Sequence, residues 1–453
     1  MWKNVVETWQ TEPEAPEDLL AAKQPFIDNG LDVLDPRRYY DPGFMADEWD
    51  KLWTRSWLIA AIETDIPEPG DYSIFQLLKE SIIVVRQKDD SVRAFYNVCA
   101  HRGNQLILND RGSVAQFTCS FHSWQYNLDG ACTRITDKET FNPEVVCHQP
   151  ALTEVRCESY AGLIFINLSD SPPPLKDRIG LPEGYLEAYQ LDKMHCVRHV
   201  ISEWEANWKT GIDAFYETYH LHAVHPETQD LMDDLGVQLD LYPHGASRML
   251  VPIGIKTKRQ ADQKAMNPGL EYMMREVEID PDDFGGSAAN VRAAIQQAKR
   301  QRSDRLNLGY ERFSDSQLTD SWATGIFPNV QIGLHPEGAF LMRFMPHPTD
   351  PEKFFYDTMT LVRPVDDPNY NVPGWMGLPE GTDTSGDIRP DTEYVPSGQS
   401  PNLGQVLDQD SELLPVVQKG IRSRGFKGAL WGEQEQRLRH FHREVDRYLD
   451  GEK

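Results

Sequence analysis

Short runs of branched and aromatic residues, broken by turn signals, occupy the chain from about residue 55 to 170. Ser81–Arg86 (SIIVVR), Arg93–Val98 (RAFYNV), Gln116–Cys119 and Leu163–Leu168 (LIFINL) have the composition of strands. Turn signals separate them at Pro69-Gly70, Lys88-Asp89-Asp90, Asp110-Arg111-Gly112 and Leu128-Asp129-Gly130. This pattern predicts a small antiparallel β domain over 55–170. Residues 1–54 are polar and contain prolines, with one helical stretch near Phe44–Trp57. Pro172-Pro173-Pro174 marks a boundary, and over 171–453 the periodicity mixes. Glu203–His222, Ala288–Arg302, Val406–Ile421 and Gly432–Leu449 read as helices, whereas Val330–Phe344 and Phe354–Val362 alternate as strands. Residues 366–402, rich in Gly, Pro, Asp and Ser, read as a long loop or insertion. The fold class predicted is α+β.

Composition narrows the function classes. The 453 residues carry 71 acidic and 45 basic side chains, a formal charge of −26. That balance excludes a nucleic-acid binder, which needs a basic footprint, and a protein held on anionic lipid by charge. No basic region followed by an apolar run opens the chain, and no stretch approaches a membrane span. The cysteines are too sparse for a disulfide scaffold, which points to a reducing, cytoplasmic setting. All of them lie between Cys99 and Cys196. Cys132, Cys147, Cys157 and Cys196 lack donor partners in sequence and read as buried thiols.

Two segments carry metal-ligand spacing. Cys99-Ala-His101-Arg-Gly is followed by Cys119-Ser-Phe-His122. Each half pairs a thiolate with an imidazole donor. A Cys₂His₂ zinc site fits; so does a Rieske [2Fe–2S] cluster, where two His replace two Cys on one iron. Zinc ribbons commonly use C-x₂-C knuckles, and the mixed loops here suit the cluster better. Farther on, Glu217-Thr-Tyr-His220-Leu-His222-Ala-Val-His225-Pro226 concentrates three histidines. A facial triad of two His and one carboxylate binds non-haem Fe(II) and leaves positions open for O₂. The bland alternative is a His-rich helix end that suits the macrodipole. His220 and His225 are too far apart for one straight helical face, so the helix is expected to loosen after His220, before Pro226.

The motifs C-x-H-R-G and C-x-x-H with Trp124, then Asn207-Trp208-Lys209 and Y-H-x₄-H, resemble the α subunits of Rieske non-haem iron oxygenases over nearly the whole chain. The resemblance implies a Rieske domain followed by a catalytic domain with a central antiparallel sheet and helices carrying the iron. It assigns Cys99, His101, Cys119 and His122 to the cluster, and His220 and His225 to the mononuclear iron. Glu217 matches the acid bridging between sites, and Asp213 a position often Asn; both are expected in the catalytic machinery. One departure is Ser123, where the family usually has Gly; the backbone is expected to adapt to it. The third iron ligand is expected on 406–421. Read as a helix, that stretch puts Asp410 among Val406, Leu407, Leu413, Leu414, Val417 and Ile421, and Asp408 and Glu412 on the wetter face. A carboxylate on a buried face needs a partner, and a metal is one. The family pattern D-x₇-Q-x-G also selects Asp410.

The resemblance further implies a homotrimer, with or without a small β subunit, in which electrons cross between subunits through His122 and Glu217. No G-x-G-x-x-G follows a strand, so NAD(P)H is expected to act through a separate reductase, with or without a ferredoxin. Arg102 and Arg111 are expected to form a basic docking patch. Phe215, Trp322, Ile326, Phe327, Val330, Leu341 and Phe344 are expected to wall an apolar pocket. The function expected is hydroxylation or dihydroxylation of an apolar aromatic or alicyclic substrate. Glu at the bridging position also occurs in family members acting on quaternary amines, so oxidative N- or O-demethylation is the alternative. A Rieske electron carrier without oxygenase activity is the alternative from another class.

Overall fold

The computed structural model describes residues 20–147, 150–367 and 370–453. They form two compact units, Trp49–Arg178 and the remainder, made of the chain up to Glu48 with Ile179–Lys453. The first is wider than the strand pattern alone indicates. Residues flanking the strands are tied into it: the Trp57 indole donates to the Pro173 carbonyl (2.9 Å) and Asn167 to Arg55 O (2.9 Å).

The Trp49–Arg178 unit contains strands β1 (Leu58–Ile62), β2 (Asp71–Leu77), β3 (Glu80–Arg86), β4 (Val92–Tyr96), β5 (Arg111–Ser113), β6 (Phe117–Thr118), β7 (Gln125–Tyr126), β8 (Cys132–Arg134), β9 (Glu154–Tyr160) and β10 (Leu163–Asn167). They make an antiparallel sheet of order β1-β10-β9-β4-β3-β2-β5 and a small sheet β6-β7-β8. The branched runs predicted as strands supply the core, with Ile82–Val85 and Leu163–Ile166 buried. The loops after β4 and after β6 carry the Cys/His motifs.

The second unit is built on β11 (His195–Trp204), β12 (Gln238–Leu241), β13 (Ser247–Val251), β14 (Ser321–Ile326), β15 (Val330–Leu334), β16 (Gly338–Pro346), β17 (Phe354–Val362) and β18 (Glu393–Val395). Their order is β12-β13-β14-β15-β16-β17-β11-β18, antiparallel except for the parallel β11–β18 pair. Glu203 therefore lies in a strand, contrary to the helix predicted from that residue. The helix starts at Trp208, with Asn207 as N-cap accepting from Lys209 N (2.9 Å). Gly211 lets this helix lie close on the sheet. A Cβ there would sit 2.7 Å from Phe344 and 2.9 Å from Phe354.

A long helix, Gln405–Ile421, is locked onto the first through Gln418. The Gln418 side-chain oxygen accepts from Asn207 N (3.0 Å) and Thr210 Oγ1 (3.1 Å). The helix continues through Pro415. Its buried line is Asp410, Leu414, Gln418 and Ile421, whereas Val406, Leu413 and Val417 are exposed. Among the described residues no helix is long and apolar enough to cross a membrane.

Candidate metal centres and substrate cavity

The two Cys/His loops share one construction. Cys99 N donates to Asn104 O (2.8 Å) and Gly103 N to Cys99 O (3.0 Å); Cys119 N donates to Trp124 O (2.9 Å) and Ser123 N to Cys119 O (2.9 Å). Each loop is closed over four or five residues, with a left-handed residue at the same place: Gly103 at φ 75° and Ser123 at φ 59°. The backbone has not adapted to serine; Ser123 takes the conformation that glycine favours, held by the same closing bonds.

Donors from the two loops meet as like pairs. Cys99 and Cys119 are buried and their thiols adjoin. The His101 and His122 rings lie 4.6 Å apart, and His101 stacks on Trp124 at 4.6 Å. Burial works to raise the Cys119 thiol, but the Phe121 and His122 N–H groups, Cys99 and Asn104 outweigh it, so its pKa is lowered. Tyr126 lies 3.2 Å from the Cys99 sulfur. The buried His101 Nδ1 has no hydrogen-bond partner. A single zinc ion needs all four donors around one point. Among the described residues, the group of three or more donors within 4.8 Å of one another lies elsewhere. Paired sulfurs and paired imidazoles fit a two-iron cluster. Arg102 is exposed and lies over the Phe121 ring, and Arg111 is half-buried. Of the other cysteines, Cys132 and Cys196 are buried, but Cys147 is exposed, unlike the buried thiol expected.

That compact donor group is His220, His225 and Asp410. The first helix ends at Phe215, a turn carries Glu217 to His220, and a short helix, Leu221–Val224, delivers His225. The helix thus breaks before His220 rather than after it. Each imidazole is oriented by an acceptor. Glu217 Oε1 lies 2.6 Å from His220 Nδ1, and Gln409 Oε1 lies 2.6 Å from His225 Nδ1. A carboxylate and an amide oxygen only accept, so both Nδ1 atoms carry the proton and both Nε2 lone pairs are left over. Those Nε2 atoms face Asp410 Oδ1 at 3.9 and 3.2 Å, and the buried His225 Nε2 has no hydrogen-bond partner. Two lone pairs facing a buried carboxylate repel unless a cation sits between them. The residues therefore fit a divalent metal. Burial lowers the His225 pKa, and the Asp410 and Gln409 contacts outweigh it and raise it. Asp408 is half-buried and Glu412 exposed.

Asp213 faces other partners. Its carboxylate accepts from the Tyr39 hydroxyl (2.7 Å) and meets His442 Nε2 (2.9 Å). It lines a crevice that Glu217, His220 and Asp410 also border. Glu435 lines the same crevice, with its pKa raised to about 7 by burial and by the charges of Glu217 and Asp213. Gln409, Tyr39, Glu435 and His442 were not singled out by sequence. Gln409, directly before Asp410, is the one whose position offered a signal.

A cavity of about 300 Å³ borders the triad, lined by Glu217, His220, His225 and Asp410. Phe215 lines it as expected; the other expected wall residues do not. The sheet contributes Met249, Val251, Ser321, Ala323, Gln331, Gly333, Phe340 and Met342 instead. Trp322, Ile326, Val330 and Leu341 are buried at the alternate positions of their strands, on the other face of the sheet. Phe344 shares the helix-side face but packs on Phe215 (5.3 Å) beneath the first helix. Phe327 stacks on Tyr448 (5.3 Å). Trp375, Met376 and Gly377, from the loop-rich 366–402 segment, complete the wall. The Trp375 and His335 rings are 4.1 Å apart, and burial with the Lys299 charge lowers His335 to about 3, leaving it neutral. The Ala288–Leu306 helix contributes Ile295 and Lys299 to an adjoining cavity that shares His335 and Trp375.

Residues 191–451 match the family described as ring hydroxylating alpha subunit (catalytic domain), and residues 56–151 match the Rieske [2Fe-2S] domain. The chain is similar to the glycine betaine monooxygenase oxygenase subunit of Pseudomonas aeruginosa strain UCBPP-PA14, 31% identical over 190 residues, 42% of this chain and 44% of the relative. It is also similar to the carnitine monooxygenase oxygenase subunit of Escherichia coli K12, 32% identical over 212 residues, 46% of this chain and 55% of the relative. The aligned stretch spans about half the length of the curated relatives it matches. Among solved structures, naphthalene 1,2-dioxygenase with bound indole superposes with a TM-score of 0.64 at 19% identity, over 94% of this chain and 93% of the other, a likeness of fold.

Proposed function

The chain belongs to the family of ring-hydroxylating α subunits, with a Rieske domain followed by the catalytic domain, and on that premise we propose that it is the terminal component of a Rieske monooxygenase that removes an N-methyl group from a substituted ammonium compound. Electrons from NAD(P)H would arrive through a separate cytoplasmic reductase, with or without a ferredoxin. The methyl group would be hydroxylated at the expense of O₂, two electrons and two protons, with the other oxygen atom leaving as water; the hydroxymethyl group then departs as formaldehyde, leaving the demethylated amine and a proton.

The observation that carries this reading is Glu217, bonded to His220 at 2.6 Å, at a position where Glu occurs among family members acting on quaternary amines. Relatives named for glycine betaine and carnitine support it. So does a cavity wall containing Phe215, Phe340 and Trp375, since aromatic faces attract quaternary ammonium groups. Cys99, His101, Cys119 and His122 would hold the [2Fe–2S] cluster, and His220, His225 and Asp410 the mononuclear iron. When bound, these groups supply electron storage and O₂ activation. The protein's own part is to orient. Glu217 and Gln409 fix the imidazole tautomers, and the apolar wall excludes water around the methyl group. We further propose a trimer, with or without a small β subunit, in which His122 of one subunit serves Glu217 of the next.

The apolar residues Met232, Met249, Val251 and Leu407 also line the cavity and favour a second reading, hydroxylation of a neutral arene or alicycle. Incubating the loaded enzyme and a reductase with trimethylammonium compounds and with arenes under labelled O₂ separates them. Formaldehyde from the former supports N-demethylation. A cis-diol from the latter without formaldehyde overturns it.

A further inference from the structure

Gln331 is the polar exception on its part of the cavity wall. It sits on β15, and its cavity-facing neighbours across β14, β15 and β16 are Ala323, Gly333, Phe340 and Met342. Behind it lies Arg437, wholly buried on the Gln436–Leu449 helix. Arg437 Nη2 donates to Gln331 Oε1 at 3.2 Å, Nε donates to Ser247 Oγ at 2.9 Å, and the guanidinium lies 4.1 Å over the Tyr216 ring. Its Nη1 is buried without a hydrogen-bond partner. Among the described residues no carboxylate forms an ion pair with it. Burial lowers its pKa to about 10, which still leaves it charged at neutral pH.

Two consequences follow. A guanidinium can only donate, so the amide atom facing Arg437 is the oxygen, and the Nε2 donor is turned to the cavity. Second, a buried charge without a carboxylate partner is costly unless something of opposite sign is brought to it. The amide between them polarises along the chain of donors, which strengthens Nε2 as a donor to an anion. Anchoring the helix on Tyr216 and Ser247 accounts for the arginine but not for a polar residue at 331, whose cavity-facing neighbours on β15 and β16 are Gly333, Phe340 and Met342.

We propose that Gln331, backed by Arg437, binds the carboxylate of the substrate, so that the cavity selects compounds bearing an anionic oxygen at one end. This rests on the oxygenase reading above for the identity of the cavity, and holds whether the group oxidised is an N-methyl or a ring carbon. Calorimetric titration of the iron-loaded protein without reductant tests it with matched pairs: glycine betaine against choline, and an arene carboxylate against its carbinol. The carboxylate member of at least one pair should bind about tenfold tighter or more. In Gln331→Leu that preference should vanish while the neutral-ended partner keeps its Kd within about twofold, which also shows the cavity intact. Gln331→Glu should reverse the preference. No preference in the wild type, or an equal loss of both members in Gln331→Leu with the preference unchanged in Gln331→Glu, overturns the proposal. Binding of the arene pair with that preference, while neither trimethylammonium compound binds, tells against N-demethylation and leaves the role of Gln331 standing.

Discussion

In the Trp49–Arg178 unit, two loops of like construction hold four donors, each closed by backbone bonds between a cysteine and residues four and five places on. In the other unit, three donors come from segments nearly two hundred residues apart and are oriented by side chains, Glu217 on His220 and Gln409 on His225. The first construction depends on local conformation; the second depends on two helices being seated correctly on a sheet. A change in a loop therefore acts through backbone strain, and a change around the triad acts through geometry at a distance.

Asp410→Ala breaks the comparison most severely. It should abolish turnover and lower iron from roughly three to roughly two per chain at constant sulfide, since the cluster shares no donor with the triad. Equal loss of sulfide would show that the two centres are not independent. Gln409→Leu should weaken retention of the mononuclear iron by about 10- to 100-fold, because the imidazole loses the acceptor that fixes its tautomer; iron binding followed by chelator competition measures it. Gly211→Ala should cost about 1–3 kcal/mol in denaturant unfolding. Its Cβ would meet Phe344 at 2.7 Å, and the cluster's visible absorption should be unchanged. Ser123→Gly has the smallest effect and the opposite sign. It should stabilise the cluster loop by about 1 kcal/mol by relieving a left-handed L-residue, read as slower loss of cluster colour on heating.

The same contrast governs what was legible in sequence. Cys99, His101, Cys119 and His122 could be grouped because their spacing is the structure: a short loop brings its own ends together. Asp410 could be picked from its helix because one acid fell on the inner face, although Leu413 and Val417, assigned to that face, lie exposed. The cavity wall was misread for a physical reason. Both faces of this sheet are covered, so β14–β16 are buried at nearly every position and alternation does not reveal which set of residues faces the metal. Trp322 and Leu341 were as plausible as Ala323 and Met342. Gln331 carried no local signal, because it matters only through a partner that tertiary folding supplies; Gln409 offered only its place beside Asp410.

Among the described residues, the loop-rich segment that brings Trp375 to the cavity pairs with the sheet edge through one three-residue strand, β18 against β11, and through side chains such as Arg198 on Glu393 and Thr392 on His199. The metal donors, by contrast, sit on secondary structure whose packing tolerates little change. Such a division lets lineages alter what enters the cavity by exchanging or resizing one stretch of chain, while the oxidising apparatus is inherited intact. Substrate range should diverge faster along this segment than along the sheet beneath it.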